Sequence, residues 1–360
     1  MKTRLLFLAI LLSGLMTIFA APFQNIKKIL RQPDGTELHC FASGDEFYNR
    51  LHDADGYTIV QADNGYFVYA TSDAAGNVIP TQYVAGTTDP ESLGLKPNIM
   101  ISQEEYQKKR DMMKVMDRDS KDDAVLNHGT YNNLVVFIKF KGDSDITTTK
   151  TEIDEMFNND GYYDISMNNY FKKATYNQLS MVSYCYPLPE GDKIIAYEDI
   201  YPRNYYQPYN ATTNPEGYTN QAEREFPLLK RAIEFIADQV PDTLNIDRNN
   251  DGFIDNVIFV VKGNVGDWSD LLWPHMWSMY GEEAYIHGKR VGTFNFQLET
   301  SSYFTVSTLC HEMSHSMGLP DLYHYNSNQD HLSPSGPWDL MCGNANPPQH
   351  TSTYMKYKYG

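Results

Sequence analysis

The stretch that decides the fold is Ser307–Tyr323, STLCHEMSHSMGLPDLY. Within it, TLCHEMSH is typical of a helix, in which His311 and His315 are four residues apart and lie on the same face, one turn above the other. Two imidazoles in that arrangement can bind one metal ion. Glu312 can reach the side of the metal where water sits and take its proton as general base. The stretch therefore predicts a catalytic metal on a helix.

The residues that follow predict a sharp turn and a third ligand. Gly318 suits a left-handed helix end, and Pro320 prevents the helix from resuming. This turn would bring Asp321 back to the metal, although a turn-stabilising role is the alternative for this aspartate. Three protein ligands and one open position are typical of a catalytic zinc, whereas a structural zinc has four protein ligands.

HEMSHSMGLPDLY resembles the H-E-x-x-H-x-x-G-x-x-D signature of the immune inhibitor A family of secreted metallopeptidases, which is related to the metzincins. GDEFYNRLHDADGYTIV with NGYFVYA is similar to the pro-region of that family, SMNNYFKKATYNQLSM to the start of its catalytic domain, and GPWDLMCG to its methionine turn. The resemblance implies that His311, His315 and Asp321 bind zinc, that Glu312 is the catalytic base and that Met341 lies beneath the metal.

The same resemblance implies a fold class, namely an α/β (α+β) zincin- or metzincin-like catalytic domain with a mixed sheet and an active-site helix. A small β-rich pro-domain precedes it. One position departs from the pattern, because the residue two after the methionine is a tyrosine in some metzincins and Gly343 here. The group that stabilises the oxyanion therefore stays unassigned.

The N-terminus predicts export. Residues 1–20 read as a signal peptide, because Lys2 and Arg4 precede an apolar run that ends in small residues. No second apolar stretch of spanning length follows, so we expect a secreted protein, extracellular or periplasmic, without membrane insertion.

Three further segments follow the signal peptide. Residues 21–102 predict a β-rich pro-region, since D-G and N-G pairs separate short apolar runs. Residues 103–128 predict a helical or flexible linker whose basic residues suit trypsin-like cleavage, the alternative being a solvated helix that nothing cuts. Residues 129–360 predict the catalytic domain, which we expect to be incomplete at its C-terminus.

Periodicity places the elements of that catalytic domain. The apolar runs in NNLVVFIKF and NVIFVVKG predict two strands buried on both faces. Helical patterns occur in KTEIDEMF, SMNNYFKKAT and NQAEREFPLLKRAIEFIADQV, the last with a well-formed helix expected to start at Pro227. The order of strand, helix, strand and metal-binding helix indicates an α/β unit.

The stretch DRNNDGFID suggests a second cation site. Asp247, Asn249, Asp251 and Asp255 alternate around a glycine, as in the first part of a calcium loop. Position twelve of an EF-hand would be Ile258 rather than glutamate, so this is not a complete EF-hand. A shorter calcium loop and a plain turn rich in Asp and Asn are both open.

Four cysteines, Cys40, Cys185, Cys310 and Cys342, allow up to two disulfides in an oxidising compartment. A bridge between Cys310 and Cys342 would join the metal-binding helix to the methionine turn, and two buried thiols are the alternative. A zinc-capping role for Cys40 in the pro-region is a further hypothesis.

The formal net charge of −17 excludes some partners. Nucleic acid and anionic membranes would both repel a chain this acidic. We therefore expect a secreted zinc endopeptidase that acts on proteins or peptides and is made as a zymogen. The alternative is a non-catalytic secreted binding protein that keeps the fold. A thermolysin-type ligand set with a distant glutamate is disfavoured by Gly318 and Asp321, and the oligomeric state stays open.

Overall fold

The computed structural model describes residues 23–44, 48–114, 127–263, 271–279, 282–300, 304–323 and 334–359. The predicted signal peptide and the linker residues 115–126 lie outside these ranges. None of the helices within them combines the length and the apolar character that a bilayer crossing needs.

The N-terminal part of the chain folds as a six-stranded sheet in which each strand pairs with the next. Its strands are β1 (Phe23–Arg31), β2 (Glu37–Gly44), β3 (Asn49–His52), β4 (Thr58–Gln61), β5 (Phe67–Ser72) and β6 (Val78–Val84). The pairing is antiparallel throughout. Gly35, Gly56 and Gly65 have positive φ in the tight connections, which are the D-G and N-G pairs of the sequence. The predicted hairpins are thus confirmed.

A helix, α1 (Gln103–Lys114), follows, and the rest of the chain builds a second unit around a central sheet. Its elements are β7 (Gly129–Lys139), α2 (Lys150–Phe157), α3 (Met167–Ala174), β8 (Leu179–Tyr186), β9 (Tyr197–Glu198), α4 (Ala222–Ile236), β10 (Phe253–Ile254), β11 (Val257–Val261), β12 (His275–Ser278), β13 (Tyr285–Ile286), β14 (Lys289–Val291), β15 (Thr293–Leu298), α5 (Val306–Ser316) and α6 (Thr353–Tyr359). Short 3₁₀ helices occur at Arg203–Tyr206, Ala237–Gln239 and Gly336–Trp338.

The central sheet has the strand order β12-β15-β11-β7-β8, and β9 pairs with the end of β7. All neighbours are parallel except the edge strand β12, which runs antiparallel to β15. A small sheet of β10, β14 and β13 lies apart from it. The prediction of an α/β unit with a mixed sheet is confirmed.

Burial explains why the two central strands are continuous apolar runs. In β7 the residues from Leu134 to Ile138 are fully buried, and so is all of β11. One face of the sheet packs against α4 and the N-terminal sheet, which share a single hydrophobic core. The other face packs against α2, α3 and α5. Since apolar layers cover both faces, neither strand shows the alternation of a half-exposed strand.

The predicted start of α4 is wrong by more than one turn. The helix begins at Ala222 and includes Pro227, which removes only the hydrogen bond to the Glu223 carbonyl. The preceding turn persists because Glu225, itself buried, accepts a hydrogen bond of 2.7 Å from His275 on β12. A tertiary contact here outweighs the local preference of proline.

The described part of the chain contains no disulfide, although it includes all four cysteines. All of them are buried. Burial raises the pKa of Cys40 to about 11 and that of Cys185 to about 12, since an apolar environment disfavours the thiolate. Cys40 lies in the core shared with the N-terminal sheet, whereas α5 belongs to the core on the other face. The zinc-capping hypothesis for Cys40 therefore has no support in this structure.

Candidate metal centre

The helix α5 and the turn after it form as the sequence predicts. The Thr305 side chain caps the helix by accepting from the Thr308 amide. At the other end Gly318 has φ +89°, and its amide donates to the His315 carbonyl at 2.8 Å. Such a left-handed glycine reverses the chain directly after the helix. The following residues consequently run back toward the imidazoles.

Three side-chain atoms converge beside α5. The Nε2 atoms of His311 and His315 are 3.1 Å apart, and Asp321 Oδ1 lies 3.2 Å from the first and 3.3 Å from the second. For zinc bonds of about 2.0 to 2.2 Å, two ligand atoms of a tetrahedral site are about 3.3 Å apart. The spacing of the three atoms therefore fits the ligand triangle of a small divalent cation.

Backbone carbonyls fix the orientation of both imidazoles. His311 Nδ1 lies 3.0 Å from the Leu340 oxygen, and His315 Nδ1 lies 2.8 Å from the Leu319 oxygen. Because a carbonyl oxygen can only accept, each Nδ1 carries a proton, and Nε2 is the ring atom that faces the shared centre. The two Nε2 atoms are 3.1 Å apart, so one cation could be bound by both rings.

The segment 339–342, for which the sequence predicts a methionine turn, lies against His311. Its residue Leu340 supplies the carbonyl that orients His311, and the carbonyl of Met341 accepts from the Leu322 amide at 2.7 Å. Asp339 stabilises the turn by accepting from the Met341 amide at 2.9 Å. Met341 itself is fully buried. The turn thus connects the His311 ring to the segment that carries Asp321.

Electrostatics within the triad also suit a cation. Burial alone would lower the pKa of His315, but the nearby Asp321 carboxylate outweighs it and raises this pKa to about 9. Burial would raise the pKa of Asp321, and the two imidazoles outweigh that effect and hold it well below its usual range. The carboxylate therefore keeps its negative charge at the centre of the site.

Glu312, the predicted general base, is a buried side chain. It is 2% exposed, and its Oε1 has no hydrogen-bond partner among the described residues. A buried carboxylate oxygen without a partner costs roughly 1 to 3 kcal/mol or more, so such groups are rare outside functional sites. The spacing of the three atoms and the orientation of the rings show that His311, His315 and Asp321 fit a divalent metal ion.

In the predicted calcium loop, Asp247 and Asp255 accept hydrogen bonds from other residues of the chain. Asp247 accepts from the amides of Asp251 and Gly252, both at 3.0 Å, and its Oδ2 lies 2.8 Å from Lys289 Nζ. Asp255 accepts from the Arg248 amide at 3.1 Å. Within the described ranges, the one group of three or more His, Cys, Asp or Glu side chains placed to hold a metal is His311, His315 and Asp321. Calcium binding by Asp247, Asn249, Asp251 and Asp255 stays a prediction.

No protein-family model and no curated protein matches this chain. Among solved structures, the chain is similar to the crystal structure of metalloproteinase-II from Bacteroides fragilis, with 10% identity and a TM-score of 0.29. That match covers 94% of this chain and 86% of the other. A TM-score this low does not establish a shared fold.

Several groups that support the site are not evident in the sequence. The carbonyls of Leu319 and Leu340 have no residue-type signature, because every residue has a carbonyl. The buried pair of His275 and Glu225 lies on the edge strand β12 and on α4, and its two members are 50 residues apart in the sequence. Glu225 outweighs the effect of burial and raises the pKa of His275, which favours a charged pair there.

Proposed function

We propose that this protein is a secreted zinc endopeptidase made as a zymogen. The observation that carries the proposal is the triangle of His311, His315 and Asp321, with sides of 3.1 to 3.3 Å, together with buried Glu312, whose Oε1 has no hydrogen-bond partner among the described residues. A mixed sheet followed by a metal-binding helix and a methionine turn at Met341 supports a zincin- or metzincin-like catalytic domain.

The chain supplies the proton chemistry. Zinc held by His311, His315 and Asp321 would acidify a water molecule and polarise the scissile carbonyl. Glu312 takes the proton of the attacking water and delivers it to the leaving amine, as a general base and then a general acid. The carbonyls of Leu319 and Leu340 keep both imidazoles in the tautomer that leaves Nε2 for the metal.

The burial of the site supports latency. His311 is fully buried, and Glu312 and Asp321 are 2% and 9% exposed, which fits a latent form. We propose residues 1–20 as a signal peptide, 21–102 as the pro-region, 103–128 as the cleaved linker and 129–360 as the catalytic domain. The substrates would be proteins or peptides outside the cytoplasm.

The experiment is hydrolysis of denatured casein after mild trypsin treatment, with and without a zinc chelator, beside a Glu312→Ala variant. We expect activity to appear after trypsin and to be lost with the chelator and in the variant. The same closed site would suit a binding protein without activity. A folded, zinc-loaded and trypsin-cleaved sample that cuts nothing would refute the peptidase and favour that second function.

A further inference from the structure

A row of three asparagines crosses the central sheet in its interior. Asn133 on β7, Asn256 just before β11 and Asn295 on β15 are all fully buried. Asn295 Nδ2 donates to Asn256 Oδ1 at 3.0 Å, and Asn256 Nδ2 donates to Asn133 Oδ1 at 2.7 Å. We call these residues the asparagine row. Asn133 and Asn295 lie on strands whose other buried residues are mostly apolar, and Asn256 directly precedes such a strand.

A serine lies at each end of the row. At one end Asn133 Nδ2 donates to Ser183 Oγ on β8 at 3.1 Å. At the other end Ser316 Oγ donates to Asn256 Oδ1 at 2.9 Å and accepts from Asn295 Nδ2 at 3.3 Å. The hydroxyl of Ser316 therefore uses its donor and an acceptor position on the same row. The Ser183 end reaches a strand, whereas the Ser316 end reaches the metal-binding helix.

Stability alone does not explain these residues. Burying an amide is unfavourable unless its polar atoms are hydrogen-bonded, and Asn295 Oδ1 has no partner among the described residues. Apolar side chains of similar volume would pack between the same strands without that cost. Hydrogen bonds, unlike apolar contacts, require a particular direction between donor and acceptor. Those of the row therefore fix the position of the C-terminal end of α5 on the sheet.

Ser316 occupies the position where that direction matters most. It is the last residue of α5, next to His315 and two residues before the reversal at Gly318. The same turn contains the Leu319 carbonyl that orients His315. A shift of Ser316 would move His315 and the start of the segment to Asp321 together. Metal ligands lose affinity when displaced by about 0.5 Å, so a helix end free to fray would not suffice.

We propose that Asn256, Asn295 and Ser316 are positioning residues that fix the C-terminal turn of α5 on the sheet and so set the geometry of the ligand triangle. This inference rests on the proposed zinc site. None of the three touches the metal position, and they act through His315 and the turn. The amides of Asn256 and Asn295 take no part in the proposed reaction, and positioning of α5 is the role that we infer for them.

The test compares Ser316→Ala, Ser316→Thr and the control Ser183→Ala in the full chain. The control removes one hydrogen bond from the far end of the same row. The zinc dissociation constant is measured by competition with a chromophoric chelator, and the visible spectrum of the cobalt-substituted protein reports ligand geometry. The unfolding midpoint of the metal-free protein measures the purely structural effect of each change.

We expect Ser316→Ala to weaken zinc binding about 10-fold and to alter the cobalt spectrum, because it loosens the turn whose Leu319 carbonyl orients His315, and loss of such a direct partner costs about 10- to 100-fold. Ser316→Thr keeps the hydroxyl and should stay near wild type, and Ser183→Ala should lower only the unfolding midpoint. Wild-type affinity and spectrum in Ser316→Ala, or an equal affinity loss in Ser183→Ala, would overturn the inference. A wild-type protein that binds zinc but cleaves nothing would instead overturn the peptidase alone, and one that takes up no zinc would overturn both.

Discussion

The charge of Asp321 should decide how tightly the site holds zinc, and Asp321→Asn tests this with almost no change in shape. The substitution keeps an oxygen near the same position and removes one negative charge from a site that is buried. The backbone of the turn is held by Gly318 and by the Leu322 amide, which donates to Met341. We therefore expect the variant to fold and to lose metal affinity.

The magnitude follows from the distances in the triad. At the 3.3 Å that separates Asp321 Oδ1 from His315 Nε2, two unit charges interact by about 5 kcal/mol at an effective dielectric constant of 20. Zinc carries two charges and would lie closer to the oxygen, which makes the attraction larger than this value. In the variant, the amide oxygen and entering water recover part of the lost binding free energy. A net loss of about 3 kcal/mol corresponds to roughly a hundredfold increase in the dissociation constant.

The assay is zinc competition with a chelator of known affinity at neutral pH, with the fold checked by unfolding of the metal-free protein. Asp143→Asn is the matched control, since it also removes a carboxylate from an ion pair, 2.7 Å from Arg203, but outside the site. Its zinc affinity should equal that of wild type. If Asp321→Asn binds zinc within threefold of wild type, Asp321 is not a ligand and its role is that of a turn residue.

Three further outcomes test other parts of the structure. Glu312→Gln should keep stoichiometric zinc while casein hydrolysis falls about 10²- to 10⁴-fold, and a loss of zinc instead would make Glu312 a structural residue. Glu299→Gln should lower the free energy of unfolding by about 3 kcal/mol at pH 7. Burial would raise the pKa of Glu299, but Lys262 and the hydroxyls and amides of two threonines outweigh burial and lower this pKa to about 2. Because the folded pKa is depressed, the contribution is present above about pH 4.5 and is lost as the pH falls toward 2, so the difference between variant and wild type in urea unfolding should vanish across that range. Gly318→Ala, at φ +89°, should cost about 1 to 2 kcal/mol of stability and also weaken zinc binding, whereas Gly94→Ala, at φ +70° with open space around it, should cost stability alone.

The convergence of His311, His315 and Asp321 could be predicted because its geometry is local. His311 and His315 are one helical turn apart, and a positive-φ glycine with a proline two residues later leaves the chain few ways to continue. Asp321 follows within six residues of His315, so the turn alone brings it to the imidazoles. The strands β7 and β11 could also be predicted from the sequence, since burial on both faces leaves a continuous apolar run.

The supporting groups could not be predicted because they depend on long-range pairing. The Leu340 carbonyl comes from a turn 29 residues beyond His311. The contact between Asn256 and Asn133 joins residues 123 positions apart, and only the strand register brings them together. The start of α4 was missed for a related reason, because the contact from Glu225 to His275 stabilises a turn that the local rule for proline disfavours.

The burial of Glu312 connects the fold to the proposed latency. Its unpartnered oxygen costs stability, and a fold selected for stability alone would have placed an apolar side chain or a donor there. The N-terminal sheet shares its core with α4 and the sheet face away from α5, so its main apolar contact lies behind the site. A cut in the linker leaves that contact in place and removes only the covalent connection. Activity after trypsin treatment should therefore not require the N-terminal sheet to leave, which predicts that the two pieces of the cut chain elute together in size-exclusion chromatography.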